Sequence, residues 1–165
     1  MNYNLPFENE ELWEYLRSNS YLSERYKLFY VATPKVACTS LKWWFASLSN
    51  LSKDDFLKIE SYESSPNMVV HDGFRKIAPN VTGLQPSELV EPLTSSQYFR
   101  FAVVRNPYSR IFSAWQSKLL LREPLQSAPF LNCDFFNHSI FNGQDIASSF
   151  EGFLEHLLSI PETYF

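Results

Sequence analysis

Lys35, Thr39 and Ser40 fall in a six-residue window directly after a short apolar run, Lys27 to Ala32. An ammonium and two hydroxyls beside the first turn of a helix suit an oxyanion such as phosphate or sulfate. The first N–H groups of a helix have no intrahelical partner, and the helix dipole is positive there. Arg105 and Ser113 form a second group of this kind, eight residues apart, after the apolar run Tyr98 to Val104. Between the two groups stands His71, a side chain type whose ordinary pKa suits it to take up a proton near neutral pH. The chemistry these types could perform is anion binding coupled to group transfer.

The chain of 165 residues carries 14 Lys+Arg and 18 Asp+Glu, a net charge of −4 that argues against a nucleic-acid partner. Its basic residues are segregated. Residues 25–53 hold Arg25, Lys27, Lys35, Lys42 and Lys53, residues 98–122 hold Arg100, Arg105, Arg110, Lys118 and Arg122, and neither stretch contains an acid. The rest of the chain has four bases and all eighteen acids. Each basic segment contains one candidate group, and folding that brings them together would make an anion site.

With 45% hydrophobic, 17% aromatic and 19% charged residues, the composition is that of a folded domain and excludes the disordered classes. The length predicts one domain, residues 1–165. Cys38 and Cys133 make no disulfide framework, and with three scattered histidines they make no zinc spacing, so no metal is expected. No apolar run approaches the roughly 18 residues of a membrane span. Acids at Glu8, Glu10 and Glu11 stand where a secretory signal would be basic and then apolar. A reduced, cytoplasmic location is the expectation.

The elements that must position these residues follow from the patterning. A helix is predicted over Asn9 to Arg17, capped by Asn9, and a strand over Lys27 to Ala32 that stops at Thr33-Pro34. After a loop from Pro34 to Cys38, a helix started by Thr39 or Ser40 carries Leu41, Trp44, Phe45 and Leu48 on one face. A short helix is expected near Asp54 to Ile59. Tyr98 to Val104 reads as a second strand, followed by a helix with Asn106 as cap, Pro107 as first residue, and an apolar stripe of Tyr108, Ile111, Phe112, Trp115 and Leu119. Leu125 to Asp145 reads as a loop. A last helix opens with a capping box, Ser148 and Glu151, and presents Phe150, Phe153, Leu154, Leu157 and Leu158. Strand and helix alternate, which predicts an α/β fold with a mostly parallel sheet and flanking helices.

The segment ATPKVACTS has no glycine, so it is not the G-x-x-x-x-G-K-[ST] loop of nucleoside triphosphatases. Nor does Cys38 suit a phosphatase nucleophile, since the position six residues on, where an arginine would cradle the phosphate, is Trp44. Pro34-Lys35-Val36-Ala37-Cys38-Thr39-Ser40, followed by Lys42, resembles the 5′-phosphosulfate-binding loop of the membrane-bound carbohydrate sulfotransferases that include the chondroitin and dermatan sulfotransferases. Phe101 to Arg110, running on through Ser113 and Trp115 to Lys118, resembles the 3′-phosphate motif of the same family. The two motifs stand in the family's order and cover about a fifth of the chain.

That resemblance implies a P-loop nucleoside-triphosphate-hydrolase or nucleoside-kinase-like sulfotransferase fold. It also implies the donor 3′-phosphoadenosine 5′-phosphosulfate (PAPS), no metal, and an acceptor that is a carbohydrate or another hydroxyl compound. Carried onto this chain, Lys35, Val36, Ala37, Cys38, Thr39 and Ser40 would hold the donor's 5′ end. Lys35 would neutralise charge on the bridging oxygen as the sulfuryl group leaves. Arg105 and Ser113 would hold the 3′-phosphate. By analogy with related enzymes that use a His or Glu between the motifs, His71 is the candidate base. Family enzymes of animals are Golgi-anchored, and the family continues through further structure beyond the point matched by Phe165.

Other readings compete residue by residue. Lys35 alone would be a solvated loop lysine, Arg105 an ion-pair partner, His71 a turn residue beside Asp72-Gly73, and Trp43 either a stacking platform or plain packing. His138 and His156 read as structural or solvated. At the level of the whole chain the alternatives are a nucleotide-binding module without activity and a nucleotide kinase. The kinase is disfavoured by the missing glycines and by the lack of a magnesium carboxylate after a strand.

Overall fold

The structure, a computed structural model, describes residues 10–61, 65–121 and 143–159. Asn9, Cys133, His138 and most of the loop expected over Leu125 to Asp145 lie outside the described residues. The chain divides into two compact units, Met1–Val104 and Arg105–Phe165.

The first unit is built on three short strands in the order β1, β2, β3. They are β1 (Ser20–Ser23), β2 (Leu28–Val31) and β3 (Phe99–Ala102). β1 pairs antiparallel with β2 in the register Ser20 to Val31, and β2 pairs parallel with β3 in the register Leu28 to Phe99. The expected mostly parallel sheet is therefore a mixed one. Sequence reading missed β1 because its four residues, Ser-Tyr-Leu-Ser, are buried throughout and show no alternation of apolar and polar types.

Helices flank the sheet. α1 (Glu10–Asn19) precedes it, and α2 (Cys38–Leu48), α3 (Lys53–Leu57), α4 (Val70–Ile77) and α5 (Pro86–Thr94) fill the crossover from β2 to β3. Successive strand residues enter different cores, as a period of two requires. Tyr21 and Tyr30 join Phe45 of α2, Phe56 of α3 and Phe74 of α4, while Leu22 and Phe29 join Leu16 of α1, Leu84, Leu89 of α5 and Tyr98. The sheet is thus a middle layer between two helical ones. The aromatic content is concentrated in the first core, where Tyr21 meets Phe74 edge to face at 5.2 Å between ring centres and Tyr30 stacks on Phe101 at 5.1 Å. α4 comes so close to α3 at Gly73 that a Cβ there would lie 3.1 Å from a Phe56 ring carbon.

α5 was not anticipated, although its start is marked in the sequence by Pro86 at the first turn and Glu88, which accepts from the Gln85 N–H at 2.6 Å. Pro92 inside it masked the helical pattern.

The second unit contains α6 (Pro107–Trp115), a π-helical continuation over Gln116–Leu120, and α7 (Gly143–Ser159). Trp115, Leu119 and Phe153 form its buried centre. Phe150 packs edge-on against Trp115, and the Trp115 indole N–H donates to Ser149 Oγ at 3.3 Å. α7 begins five residues before the expected capping box, so Ser148 and Glu151 are interior and cap nothing. Ser149, next to the expected cap Ser148, is instead part of the buried centre. Among the described residues no helix is long and apolar enough to cross a membrane, and no three His, Cys, Asp or Glu side chains converge.

Candidate functional site

Because β2 and β3 run parallel, with Val31 opposite Ala102, both leave the sheet at the same edge. Ligands of open α/β sheets bind outside the carboxyl ends of such strands. The loop that follows β2 carries the first candidate group. Its backbone alternates in sign: Lys35 (φ 64°) and Ala37 (φ 65°) are left-handed, and Pro34 and Val36 are not. A left-handed conformation costs a non-glycine residue about 1–2 kcal/mol. In return, such alternation turns successive N–H groups toward one concavity that suits an anion. Val36, buried at 4% exposure, anchors the loop.

The loop leads into α2 at Cys38, one residue before the expected start, and neither Thr39 nor Ser40 caps it. Ala37 occupies the cap position with no side-chain hydrogen bond. Two other helix starts are satisfied from within: Ser52 and Asp55 cap α3 reciprocally, and the Asn106 carboxamide accepts from Tyr108 and Ser109 at the start of α6. α4, like α2, has no side-chain cap, but among the described residues no left-handed one directly precedes it. Thus α2 presents its N-terminus with no side-chain acceptor, beside a lysine and two hydroxyls. This donor set suits an oxyanion, of which the phosphosulfate end of PAPS is one, and the alternating loop offers it a concavity.

Three side chains meet next to that start. Thr39 Oγ1 lies 2.9 Å from His71 Nε2, and Lys42 Nζ lies 3.1 Å from His71 Nδ1. An ammonium has no acceptor, so Nδ1 receives its hydrogen bond and the single proton of the neutral ring resides on Nε2, which donates to Thr39. The ring is neutral at pH 7 because burial, then the charges of Lys42 and Lys35, push its pKa down to about 4 against a weaker opposing effect of Asp72. His71 belongs to α4, not to a turn, and Asp72 beside it accepts from Ser61 Oγ at 2.8 Å.

Lys42 was read as part of a basic segment and as the residue following the loop motif, with no role of its own. Its position carries a signal that the composition does not: it lies three and four residues before the fully buried Phe45 and Ala46, hence on the inward face of α2. Its ammonium also sits 5.6 Å from the centre of the Tyr21 ring. The tryptophans exchange roles relative to the expected stripe. Trp44 is 42% exposed, while Trp43 packs edge-on against Phe56 and donates from Nε1 to the Asn67 carbonyl at 2.9 Å. Helices α3 and α4 lie on the Trp43 side of α2, which is why it packs and does not serve as an open platform.

The first unit therefore brings together the Lys35 to Ser40 loop, Lys42 and His71. In the second unit Arg105 is exposed ahead of the Asn106 cap, and Ser113 is half-buried on α6, where its carbonyl accepts from the Gln116 N–H.

Comparison with known proteins places the chain in a family. Carbohydrate sulfotransferase 10 of Danio rerio is 29% identical over 100 residues, 61% of this chain and 25% of the relative. The proteins of that name from Xenopus laevis and Homo sapiens are 29% and 28% identical over 100 residues, each covered to 26%. The chain thus spans about a quarter of the length of the curated relatives it matches. No solved structure matches it. The sequence profile of the Sulfotransferase family matches residues 18–163, nearly the whole chain, and with that extent of match the chain belongs to the Sulfotransferase family.

Proposed function

We propose that this chain binds PAPS and transfers its sulfuryl group to a hydroxyl of a carbohydrate acceptor. The observation that carries the reading is the uncapped start of α2, preceded by left-handed Lys35 and Ala37 and flanked by Thr39, Ser40 and Lys42. Sulfuryl transfer resembles phosphoryl transfer in spreading charge over equatorial oxygens, so fixed donors and cations supply much of the rate. In this reading the backbone of Lys35 to Ser40 and the Thr39 and Ser40 hydroxyls hold the donor's 5′ end. Lys35 neutralises the bridging oxygen as the S–O bond breaks, and Arg105 and Ser113 hold the 3′-phosphate. His71 is the proposed base for the acceptor hydroxyl, and its neutral form at pH 7 is the form that can accept a proton. The parallel β2–β3 pair and its shared edge support a nucleoside-kinase-like arrangement of the donor domain.

Calorimetry with PAPS and with 3′-phosphoadenosine 5′-phosphate, followed by sulfate transfer assays on carbohydrate acceptors, tests this reading. Micromolar binding and turnover are expected. Absence of binding to both nucleotides at high micromolar concentration overturns it, and binding without transfer to any acceptor replaces it with a nucleotide-binding module.

A further inference from the structure

The site as described leaves the proposed base blocked. Both ring nitrogens of His71 are engaged, Nε2 by the Thr39 hydroxyl and Nδ1 by the Lys42 ammonium. With its proton on Nε2, the ring has one lone pair, at Nδ1, and Lys42 holds it. Thr39 and Lys42 are three residues apart on α2, so their side chains share one helix face. Helical side chains lean toward the N-terminus, which aims the Lys42 ammonium at the open start of α2. Lys42 is therefore a cation with two destinations, the imidazole nitrogen and an anion held at the loop.

We propose that Lys42 gates His71: in the nucleotide-free protein its ammonium caps Nδ1, and an anion bound at the Lys35 to Ser40 loop draws it away and exposes that nitrogen to the acceptor hydroxyl. This rests on the donor reading above and deepens it, since it makes the base available when a donor is present. The step then balances. The acceptor O–H proton goes to Nδ1 and its oxygen forms the new S–O bond. The bond from sulfur to the bridging oxygen breaks, and 3′-phosphoadenosine 5′-phosphate leaves with the electron pair. Nε2–H keeps its bond to Thr39 throughout, so His71 also orients the Thr39 hydroxyl, whose own hydrogen is left to donate to the bound anion. The charged groups facing the ring are Lys42 from α2, Lys35 from the loop and Asp72 from α4 itself. An anion at the loop offsets both lysines.

Histidine ring NMR on the full chain, with and without saturating 3′-phosphoadenosine 5′-phosphate, tests the gate, and calorimetry on the same samples reports binding separately. The nucleotide-free protein should show the Nε2–H tautomer and a His71 midpoint near 4, and the nucleotide should move that midpoint toward 6.5. In Lys42→Met the free protein should already titrate at higher pH, and the nucleotide should add a smaller change than in the wild type. Lys42→Gln carries the same comparison should the methionine variant fail to fold. An Nδ1–H tautomer in the free wild type overturns the gate. Equal nucleotide-induced changes in wild type and variant, with binding shown by calorimetry, overturn it and leave the donor reading standing. Absence of nucleotide binding overturns both.

Discussion

The starts of α2 and α6 face the same electrostatic problem and solve it differently. At α6 the Asn106 carboxamide takes the N–H groups of Tyr108 and Ser109 at 3.0 and 3.3 Å, so the helix end is satisfied from within. At α2 no side chain does this, the preceding loop adopts left-handed backbone at two non-glycine residues, and a half-buried Lys-His-Thr cluster stands beside it. In the proposed reading one is a side-chain clamp and the other a backbone cradle with the candidate base beside it. An uncapped helix start preceded by left-handed loop backbone is where the proposed ligand is to be sought, whereas a capped start contributes stability.

Substitutions at the cradle should damage turnover most. His71→Ala should lower kcat by about 10²–10⁴ if the imidazole takes the acceptor proton. Steady-state assays on a competent acceptor check this, and near-normal turnover would remove His71 from the mechanism. Lys35→Ala should lower the rate by about 10²–10³ through loss of a cation at the bridging oxygen. A variant whose KM for donor rises while kcat holds would show that Lys35 only binds.

Effects on stability should follow the opposite ranking and sharpen the contrast. Asn106→Ala removes a working cap and should cost about 1 kcal/mol in denaturant unfolding. Ser40→Ala should cost α2 far less, because Ser40 caps nothing, yet weaken nucleotide binding in calorimetry. Equal destabilisation by the two would end the distinction between cradle and clamp.

Of the two helix starts, acid should act on the cradle. The folded-state pKa of His71 lies below its unfolded value of 6.5, at about 4, so the unfolded chain binds the extra proton first. Stability from this group is present above pH 6.5 and is lost as pH falls from 6.5 to 4. Discounted for the solvent-exposed part of the ring, the loss is about 1–2 kcal/mol. Urea titrations should show that slope in the wild type and not in His71→Gln. Smallest of all, Ala37→Gly relieves one left-handed residue and should stabilise by a few tenths to about 1 kcal/mol. A loss of stability would mean that the Ala37 methyl group packs more strongly than its backbone is strained.

What depends on neighbours a few residues apart is legible in the sequence. The lysine and hydroxyls after a strand, the Asn106-Pro107 start of α6 and the alternation of strand and helix were all legible there. Their physics is local: propensity, capping and periodicity act over three or four positions. The tertiary structure decided the rest. His71 meets Thr39 and Lys42 across 32 and 29 residues of chain, and no spacing rule encodes such a contact. β1 is recognisable only once β2 supplies its hydrogen bonds, and Trp43 exchanges places with Trp44 because α3 and α4 choose which side of α2 is covered. Lys42 shows the boundary most clearly. Its type and position were plain, but the role proposed for it follows from the imidazole that α4 places against its ammonium, because burial and a neighbouring charge are properties of the folded arrangement and not of the residue.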